Sequence, residues 1–309
     1  MQLWTIVVRS ANEQEAADDV DTDRTGHGES AMTAQERGGA VVTGAGRGLG
    51  RLLAGVLVER GHRVLVTDLD ADAAARTAAE LGTRATPFAL DVRDETQVTA
   101  ARTAILELAG RLEVWINNAG VLYTGPAWEQ SAEARRSMLE VNALGTINGT
   151  VTAIEGMRDG GGHIVNIVSL AGLTMVPGEA VYAASKHAAI GFSLSTLADL
   201  ELAGIHDIDI SCICPDGIWT PMLFDKLEDP GSALSFSGKL LQPEEVAAAV
   251  RKVLDRPRPV TAIPRWRGVL ARTVDLMPGI SRRAAPLLVA QGRRTQRALL
   301  ASGRPRRRA

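Results

Sequence analysis

The stretch Thr43–Gly50 reads TGAGRGLG and joins two segments of different character. Before it, Ala40–Thr43 is suited to a short strand, and after it Leu49–Arg60 has the apolar spacing of a helix. Glycine permits a tight turn there and lets a pyrophosphate approach the backbone, where the helix N-terminus offers unpaired N–H groups. Because it follows a strand and opens a helix, the pattern predicts a dinucleotide-binding unit. The expected contacts are Gly44, Arg47, Gly48, Leu49 and Gly50.

Strand and helix patterns continue to alternate towards the C-terminus. Further strands are predicted at Arg63–Thr67, Ala85–Leu90, Glu113–Ile116, Ile164–Val168, Ile208–Ile213 and Val260–Ile263, with helices at Ala71–Leu81, Glu95–Ala109, Glu129–Met157, Val181–Leu202 and after Pro243. Alternating βα units with apolar strands indicate a parallel sheet that is covered by helices on both faces. The predicted fold class is therefore α/β, a doubly wound parallel sheet in a single domain over residues 38–263.

Polar residues close several of these strands, at the edge of the sheet where a dinucleotide would bind. Asp68 ends the second strand about twenty residues after the glycine turn, where an acid contacts the adenosine ribose. An acid at a helix N-terminus is the alternative interpretation. Asp91 and Val92 end the third strand, near the expected adenine. Asn118, Ala119 and Gly120 follow the fourth and are expected to border the cleft, with an ordinary turn as the alternative.

The segment Ser169–Lys186 contains three side chains suited to proton exchange. Tyr182 and Lys186 are four residues apart, so on a helix they share one face. Ser169 closes an apolar strand, and its hydroxyl could hydrogen-bond a substrate oxygen on which charge develops. A free phenol has a pKa of about 10, and a nearby ammonium favours the phenolate. The pattern indicates proton exchange with an alcohol or a carbonyl; an amphipathic helix with a chance tyrosine and lysine is the alternative.

Together these motifs resemble the short-chain dehydrogenase/reductase family over about Gly39–Ile263. The resemblance implies a Rossmann-type fold in which Tyr182 is the acid/base, Lys186 lowers its pKa and holds the nicotinamide ribose, and Ser169 binds the reacting oxygen. It also implies that Asn142, in the stretch VNALG, completes the set and helps to hold a water that relays protons from the lysine. An asparagine in the interior of a helix is the alternative for Asn142.

The chain departs from the family pattern after the sixth strand. The family usually has Pro-Gly there, whereas this chain has Asp216 after Pro215. Pro215, Ile218 and Thr220 still align with the pattern, so they are expected to contact the nicotinamide. The departure leaves the local backbone and the nearby substrate preference open.

Arg47 and Asp68 predict different cofactors. A basic residue at the position of Arg47 favours a 2′-phosphate in some members of the family. The Asp68 carboxylate would repel that phosphate and could accept a bond from a free 2′-hydroxyl instead. Repulsion at contact distance costs more than an exposed arginine recovers, so the sequence favours NAD over NADP.

Apolar side chains are expected around the reacting groups. Pro221–Gly238 lies where the family has a mobile substrate lid, and it contains Met222, Leu223, Phe224, Leu234 and Phe236. Leu122, Tyr123 and Leu170–Leu173 would add further walls; the alternative is that the lid residues pack on the domain itself. We therefore predict an NAD-dependent oxidoreductase that interconverts a hydrophobic secondary alcohol and a ketone. A noncatalytic nucleotide-binding or scaffold protein on the same fold is the alternative function.

The two ends of the chain differ in composition from this domain. Residues 1–37 include a polar, acidic stretch and are expected to be disordered. From Arg256 onward there are fourteen arginines, no lysine and one acid, Asp275, although the whole chain carries a net charge of only −2. Residues 264–309 are expected to form a helical extension, with one helical pattern ending before Pro278 and another helix from about Pro286 to Leu300.

The role of the extension is open. It could pack on the domain or on a neighbouring subunit, or it could contact an anionic membrane, nucleic acid or an acidic partner. Since it follows the last predicted strand, we expect the catalytic set to be complete without it. We also expect a homodimer or homotetramer, no nucleic-acid partner and no metal site. A cytoplasmic location, with membrane contact at most peripheral, is expected because Cys212 and Cys214 read as unpaired core residues and no signal peptide is evident.

Overall fold

The computed structural model describes residues 37–302, in which seven strands and ten α-helices alternate. The strands are β1 Gly39–Val42, β2 Arg63–Asp68, β3 Ala85–Ala89, β4 Leu112–Asn117, β5 Gly162–Ile167, β6 Ile208–Pro215 and β7 Val260–Ile263. The helices are α1 Gly48–Glu59, α2 Ala71–Leu81, α3 Glu95–Ala109, α4 Ala132–Leu139, α5 Gly145–Met157, α6 Ala180–Leu202, α7 Pro221–Phe224, α8 Pro243–Asp255, α9 Arg265–Asp275 and α10 Pro278–Ala301. The predicted disordered segment 1–37 lies outside the described residues, except for Arg37.

All seven strands pair in parallel, in the order β3-β2-β1-β4-β5-β6-β7. In this register Val42 of β1 lies beside Val66 of β2 and Ile116 of β4. The chain builds outward from β1 to β3 and then returns to the other side of β1, so the strand order switches direction between β1 and β4. Ligands of doubly wound sheets bind at such a switch point, beyond the carboxyl ends of the strands. The predicted α/β fold class is confirmed.

Two apolar layers cover the faces of the sheet. Helices α1 and α8 supply Leu53, Leu57, Val246 and Val250 to one layer, and α3, α5 and α6 supply Ile105, Met157 and Leu200 to the other. All of these side chains are buried, because both faces of a parallel sheet are covered by the helices of its crossovers. The carboxyl edge of the sheet remains uncovered by these helices and is available for a site.

The long helix predicted over Glu129–Met157 differs from the structure in two respects. It begins at Ala132, because Ser131 caps it by accepting a hydrogen bond of 3.1 Å from the Ala134 amide. It is also interrupted by a π-helical turn at Glu140–Leu144, between α4 and α5. Such turns often occur at functional sites, and this one contains Asn142.

The C-terminal extension folds onto the carboxyl edge of the domain. Ala271 of α9 packs in one apolar cluster with the free, buried thiols of Cys212 and Cys214. The helix predicted to begin at Pro286 instead begins at Pro278 and runs through Pro286. A proline inside a helix costs about 3 kcal/mol, and the sequence therefore predicts that the helix begins at Pro286. Packing of the helix on the domain outweighs this local cost. No helix in the described part of the chain is long and apolar enough to cross a membrane.

Candidate active site

The carboxyl ends of the central strands border one cavity of about 890 Å³. All the predicted site residues except Asn142 line it, although they come from separate parts of the chain. On the cofactor side these are Gly44, Arg47, Gly48, Leu49, Gly50, Asp68, Asp91, Val92, Asn118, Ala119 and Gly120; the others are Ser169, Tyr182, Lys186, Pro215, Ile218 and Thr220. The topology therefore brings the predicted residues together.

The glycine turn leaves space in front of the N-terminus of α1. Gly44 and Gly48 have φ values of 61° and 57°, in the left-handed region that favours glycine. A Cβ on Gly50 would lie 2.1 Å from the Gly44 carbonyl oxygen, whereas one on Gly48 would meet only Pro221 Cδ, at 3.9 Å. The first turn of α1 contains no acid and no side chain caps it. The open space and the unpaired amides of a helix N-terminus fit an anionic pyrophosphate.

Asp68 supports the glycine turn as well as lining the cavity. Its Oδ2 accepts a hydrogen bond of 2.9 Å from the Gly46 amide, and its Oδ1 accepts one of 3.0 Å from the Asp70 amide. The side chain that caps α2 is that of Asp70, which accepts from the Ala73 amide, so Asp68 is not the N-cap acid of this helix. The carboxylate of Asp68 therefore lies on the cofactor side of the cleft.

Asn118 and Thr43 join the ends of β4 and β1. Asn118 Nδ2 donates to the carbonyl oxygens of Thr43 and Gly44, at 2.9 and 3.0 Å. Thr43 Oγ1 accepts from the amides of Asn118 and Ala119, both at 3.0 Å. This role of Thr43 was not predicted, although a hydroxyl at the end of the first strand is a signal that the sequence contains. These bonds set the width of the cleft at the switch point.

Asp91 is held on the opposite side of the cofactor cleft. Arg93 donates three side-chain hydrogen bonds to its carboxylate, at 2.6 to 3.0 Å. The Arg93 guanidinium holds the pKa of the Asp91 carboxyl below its usual range. Asp91 thus remains ionised at the place expected for the adenine.

Tyr182 and Lys186 lie on the first two turns of α6 and face the cavity. Lys186 Nζ lies 5.7 Å from the centre of the Tyr182 ring and donates a hydrogen bond of 3.1 Å to the Ile167 carbonyl oxygen. Burial lowers the pKa of Lys186 to about 8. Ser169, two residues after β5, lies beside the Tyr182 side chain, and its hydroxyl lowers the pKa of the phenol. The three predicted reacting groups therefore meet at one point of the cavity wall.

The charge state of Tyr182 differs from the sequence prediction. Burial raises the pKa of the phenol well above its usual value, the Glu179 carboxylate raises it further, and the hydrogen bond from Ser169 opposes them. The cost of burying a phenolate is the largest effect, so the pKa of Tyr182 in the protein alone lies above its usual value; the lowering of this pKa by Lys186 stays a prediction. Tyr182 is therefore neutral in this state.

Asn142 lies behind the cavity wall. Its Oδ1 accepts a hydrogen bond of 2.8 Å from the Val121 amide, and its Nδ2 donates to the Val121 carbonyl oxygen and to Ser185 Oγ, at 2.9 and 3.1 Å. The side chain is fully buried, so it does not line the cavity as the other predicted residues do. It connects the segment after β4 to α6, close to Lys186.

Some apolar residues of the lid, Pro221–Gly238, pack on the domain, and others line the cavity. Leu223, Phe224 and Phe236 are buried, as expected if the lid packs on the domain. Met222 and Leu234 line the cavity, as expected if the lid binds substrate, and Leu223 also borders it. The lid is folded into α7 and a 3-10 helix at Pro230–Phe236.

Helix α10 is in close contact with this lid. A Cβ on Gly292 would lie 1.7 Å from the Ala233 carbonyl oxygen. Gln296 Nε2 donates to the Asp229 carbonyl oxygen at 2.9 Å, and Gln291 Nε2 donates to that of Ser237 at the same distance. The lid is thus held between the cavity and the C-terminal extension.

The extension contributes to the cavity wall, although all four residues of the predicted catalytic set lie outside it. Arg267 of α9 pairs with Asp216, with Nε and Oδ2 3.0 Å apart, and both side chains are largely buried. This ion pair gives the departure from Pro-Gly a structural role, since it attaches α9 to the end of β6. The extension supplies part of the cavity wall through Arg267, Leu270, Ala271, Val274, Ser281, Ala284, Ala285 and Leu288. Sequence spacing contains no signal for such a long-range contact.

The position of the cleft and the side chains beside it are those of an oxidoreductase that uses a dinucleotide. The chain belongs to the short chain dehydrogenase family, whose model matches residues 39–231. Among residues 37–302, no group of three or more His, Cys, Asp or Glu side chains is placed to hold a metal ion.

Relatives and solved structures similar to this chain include the following. The putative oxidoreductase SadH of Mycobacterium tuberculosis is 36% identical over 59% of this chain and 67% of the relative. Estradiol 17-beta-dehydrogenase 11 of Mus musculus is 32% identical over 67% and 68%. The 15-hydroxyprostaglandin dehydrogenase [NAD(+)] of Rattus norvegicus is 29% identical over 79% and 97%. A short chain dehydrogenase/reductase from Burkholderia phymatum, solved in complex with NAD, has a TM-score of 0.69 and 30% identity, covering 77% of this chain and 93% of that one.

Proposed function

We propose that this oxidoreductase is NAD-dependent and interconverts a hydrophobic secondary alcohol and a ketone. The observation that carries the proposal is the meeting of Ser169, Tyr182 and Lys186 on the wall of the cavity that also contains the glycine turn. Relatives named as estradiol and hydroxyprostaglandin dehydrogenases support a hydrophobic alcohol as substrate.

The residues on the cofactor side fit NAD. The open space at Gly48 and the amides of α1 would receive the pyrophosphate, and the Asp68 carboxylate would accept a bond from a free 2′-hydroxyl. Arg47 is exposed on the same cleft, but a carboxylate facing a phosphate dianion costs more than an exposed arginine recovers. Binding of NAD by the solved relative supports the same cofactor here. When bound, the nicotinamide supplies or accepts the hydride.

The reacting groups divide the remaining work. Tyr182 Oη gives a proton to the carbonyl oxygen during reduction and removes it during oxidation. Ser169 Oγ donates a hydrogen bond to the same oxygen as charge develops on it. Lys186, whose Nζ lies 5.7 Å from the centre of the Tyr182 ring, would hold the nicotinamide ribose and pass protons to and from Tyr182. Asn142 forms two hydrogen bonds with the backbone of Val121 and so fixes the segment after β4 next to Lys186.

The substrate side of the cavity is mainly apolar. Leu122, Leu170, Met222 and Leu234 line it, together with side chains of α9 and α10. A sugar would leave hydroxyls without partners against such walls, whereas burial of an apolar alcohol is favourable. This composition supports a hydrophobic alcohol or ketone as the substrate class.

Replacement of Tyr182 distinguishes this function from a noncatalytic scaffold. Tyr182→Phe should lower kcat by about a thousandfold or more while NAD binding changes little, because only the proton-transfer group is removed. Tyr123→Phe is the matched control: it removes a hydroxyl from the only other tyrosine, which also lines the cavity, and should keep kcat. Turnover would be followed by absorbance of the reduced cofactor with a panel of hydrophobic alcohols. Absence of turnover in the parent with every alcohol, despite NAD binding, would favour the scaffold.

The domain organisation, the oligomeric state and the location of the enzyme are also proposals. We propose a catalytic domain over residues 38–263, completed by the helical extension over residues 264–309, and a cytoplasmic homodimer or homotetramer. The free, buried thiols of Cys212 and Cys214 support a reducing compartment.

A further inference from the structure

Helix α9 turns an apolar stripe towards solvent. Trp266, Val269 and Leu270 follow the spacing of one helical face of α9, and all are exposed; Trp266 is 63% exposed. The opposite face carries the small residues Gly268 and Ala271, which pack on the domain. This is the reverse of an ordinary surface helix, whose apolar face is buried and whose polar face is exposed.

The stripe continues around the corner into α10. Leu276 is 83% exposed at the end of α9, and Ile280 and Leu287 are exposed on α10. Ile280 and Leu287 are seven residues apart, so they lie on one side of their helix. The corner and the two helices therefore present a contiguous apolar surface, which we call the α9–α10 face. Exposed apolar surfaces of this kind mark interaction sites.

Arginines border the α9–α10 face. Arg265 and Arg272 are two turns apart along one edge of the α9 stripe, and Arg283, four residues before Leu287, shares its side of α10. Between residues 264 and 302 there are eight arginines and one acid, Asp275. Of these arginines, only Arg267 forms an ion pair with another residue of the described range, through Asp216. The border is therefore strongly cationic.

The cavity opens beside the same face. Leu270 is 50% exposed at the edge of the stripe and also lines the cavity, and Leu288 of α10 does the same. The α9–α10 face and the cavity therefore meet at Leu270 and Leu288.

We propose that the α9–α10 face docks on the surface of an anionic lipid bilayer and that substrate passes from the bilayer into the cavity. Exposed tryptophan and aliphatic side chains beside arginines are suited to the headgroup boundary, where apolar groups enter the acyl region and guanidinium groups contact phosphate. The docking concerns the surface alone, whereas the entry of substrate from the bilayer rests on the proposed function.

A second copy of the chain fits this face less well. A two-fold dimer places the same patch on both subunits, so the arginines around the apolar surface would face arginines. Lipid phosphates provide the complementary charge. Nucleic acid would also provide complementary negative charge, but its phosphate backbone would not cover an exposed stripe of tryptophan, valine and leucine.

Sedimentation with vesicles tests the docking. The full chain should bind vesicles of one part phosphatidylglycerol to two parts phosphatidylcholine, bind pure phosphatidylcholine much less, and bind less as salt rises from about 0.05 to 0.3 M. Leu276→Glu should weaken binding about tenfold or more, the effect expected when a leucine is kept out of the apolar phase. Leu202→Glu is the matched control, since Leu202 is 87% exposed at the end of α6, outside the α9–α10 face, and it should bind as the parent does. Equal loss in both variants would overturn the docking.

Light scattering distinguishes the bilayer from a second copy. If Leu276→Glu breaks a dimer of the parent and the parent does not sediment with anionic vesicles, the face is a subunit interface and the proposal is wrong. If vesicle binding behaves as expected while the oligomer is unchanged, the docking stands.

The entry of substrate has its own measurement. Leu276→Glu should turn over a short water-soluble ketone at the parent's rate, yet turn over a long-chain ketone dissolved in anionic vesicles at least about tenfold more slowly. Equal rates with the vesicle-borne ketone would overturn substrate entry from the bilayer. Vesicle binding without turnover of any ketone would instead overturn the proposed function and leave the docking intact.

Discussion

Glu179→Gln tests the packing around the site through the pH dependence of stability. The Glu179 side chain is 1% exposed at the start of α6, and its Oε1 accepts a hydrogen bond of 2.6 Å from Ser235 Oγ in the lid. Burial is the main cause that raises the pKa of Glu179 from 4.5 to about 7. The Ser235 hydrogen bond opposes it, and the carboxylates of Asp216 and Asp229 add to it.

The raised pKa makes the protein less stable as the pH increases. The unfolded chain releases the Glu179 proton near pH 4.5, whereas the folded protein keeps it until about pH 7. Between these values the folded state binds more protons, so the free energy of unfolding falls as pH rises. The loss is absent below pH 4.5 and amounts to about 3 kcal/mol above pH 7. For a domain of this length, that energy corresponds to a change in Tm of about 6 °C.

Glutamine keeps an acceptor for Ser235 and cannot ionise, so Glu179→Gln should remove this loss. The Tm of the variant minus that of the parent should increase by about 6 °C from pH 5 to pH 8.5, measured by circular dichroism. Glu201→Gln, at an exposed glutamate near the end of the same helix, is the control and should follow the parent at every pH. A difference in Tm between Glu179→Gln and the parent that stays constant with pH would refute the reasoning.

Two further substitutions test the cofactor cleft and the extension. Asp68→Ser should lower the ratio of kcat/KM for NAD to that for NADP about tenfold or more, because the carboxylate no longer repels a 2′-phosphate; a parent that already prefers NADP would contradict the proposed cofactor. Gly292→Ala should destabilise the protein by about 1–3 kcal/mol in urea unfolding and raise KM for hydrophobic alcohols, since its Cβ would overlap the Ala233 carbonyl oxygen at 1.7 Å. Gly279→Ala, in open space on the same helix, should be neutral or stabilising, and similar behaviour of the two variants would argue against close packing of α10 on the lid.

Sequence alone was sufficient where the signal lies within a few neighbouring residues. The strand, glycine turn and helix around Thr43–Gly50 are contiguous, so their meaning did not depend on the rest of the chain. The spacing of Tyr182 and Lys186 places both on one face of any helix that contains them. Local reasoning was wrong at Pro286, because a proline is typical of a helix start. The helix continues through Pro286 where α10 packs on the lid, and that contact is not local in the sequence.

Tertiary structure decided everything that depends on burial or on contacts between distant segments. The ion pair of Asp216 with Arg267, and the place of α9 and α10 in the cavity wall, follow from how the extension folds back over the sheet edge. The raised pKa values of Glu179 and Tyr182 follow from desolvation, which no spacing in the sequence measures. Sequence periodicity reports which residues share a face of an element, but not what covers that face, and the cover determines both the charge of a side chain and its partners.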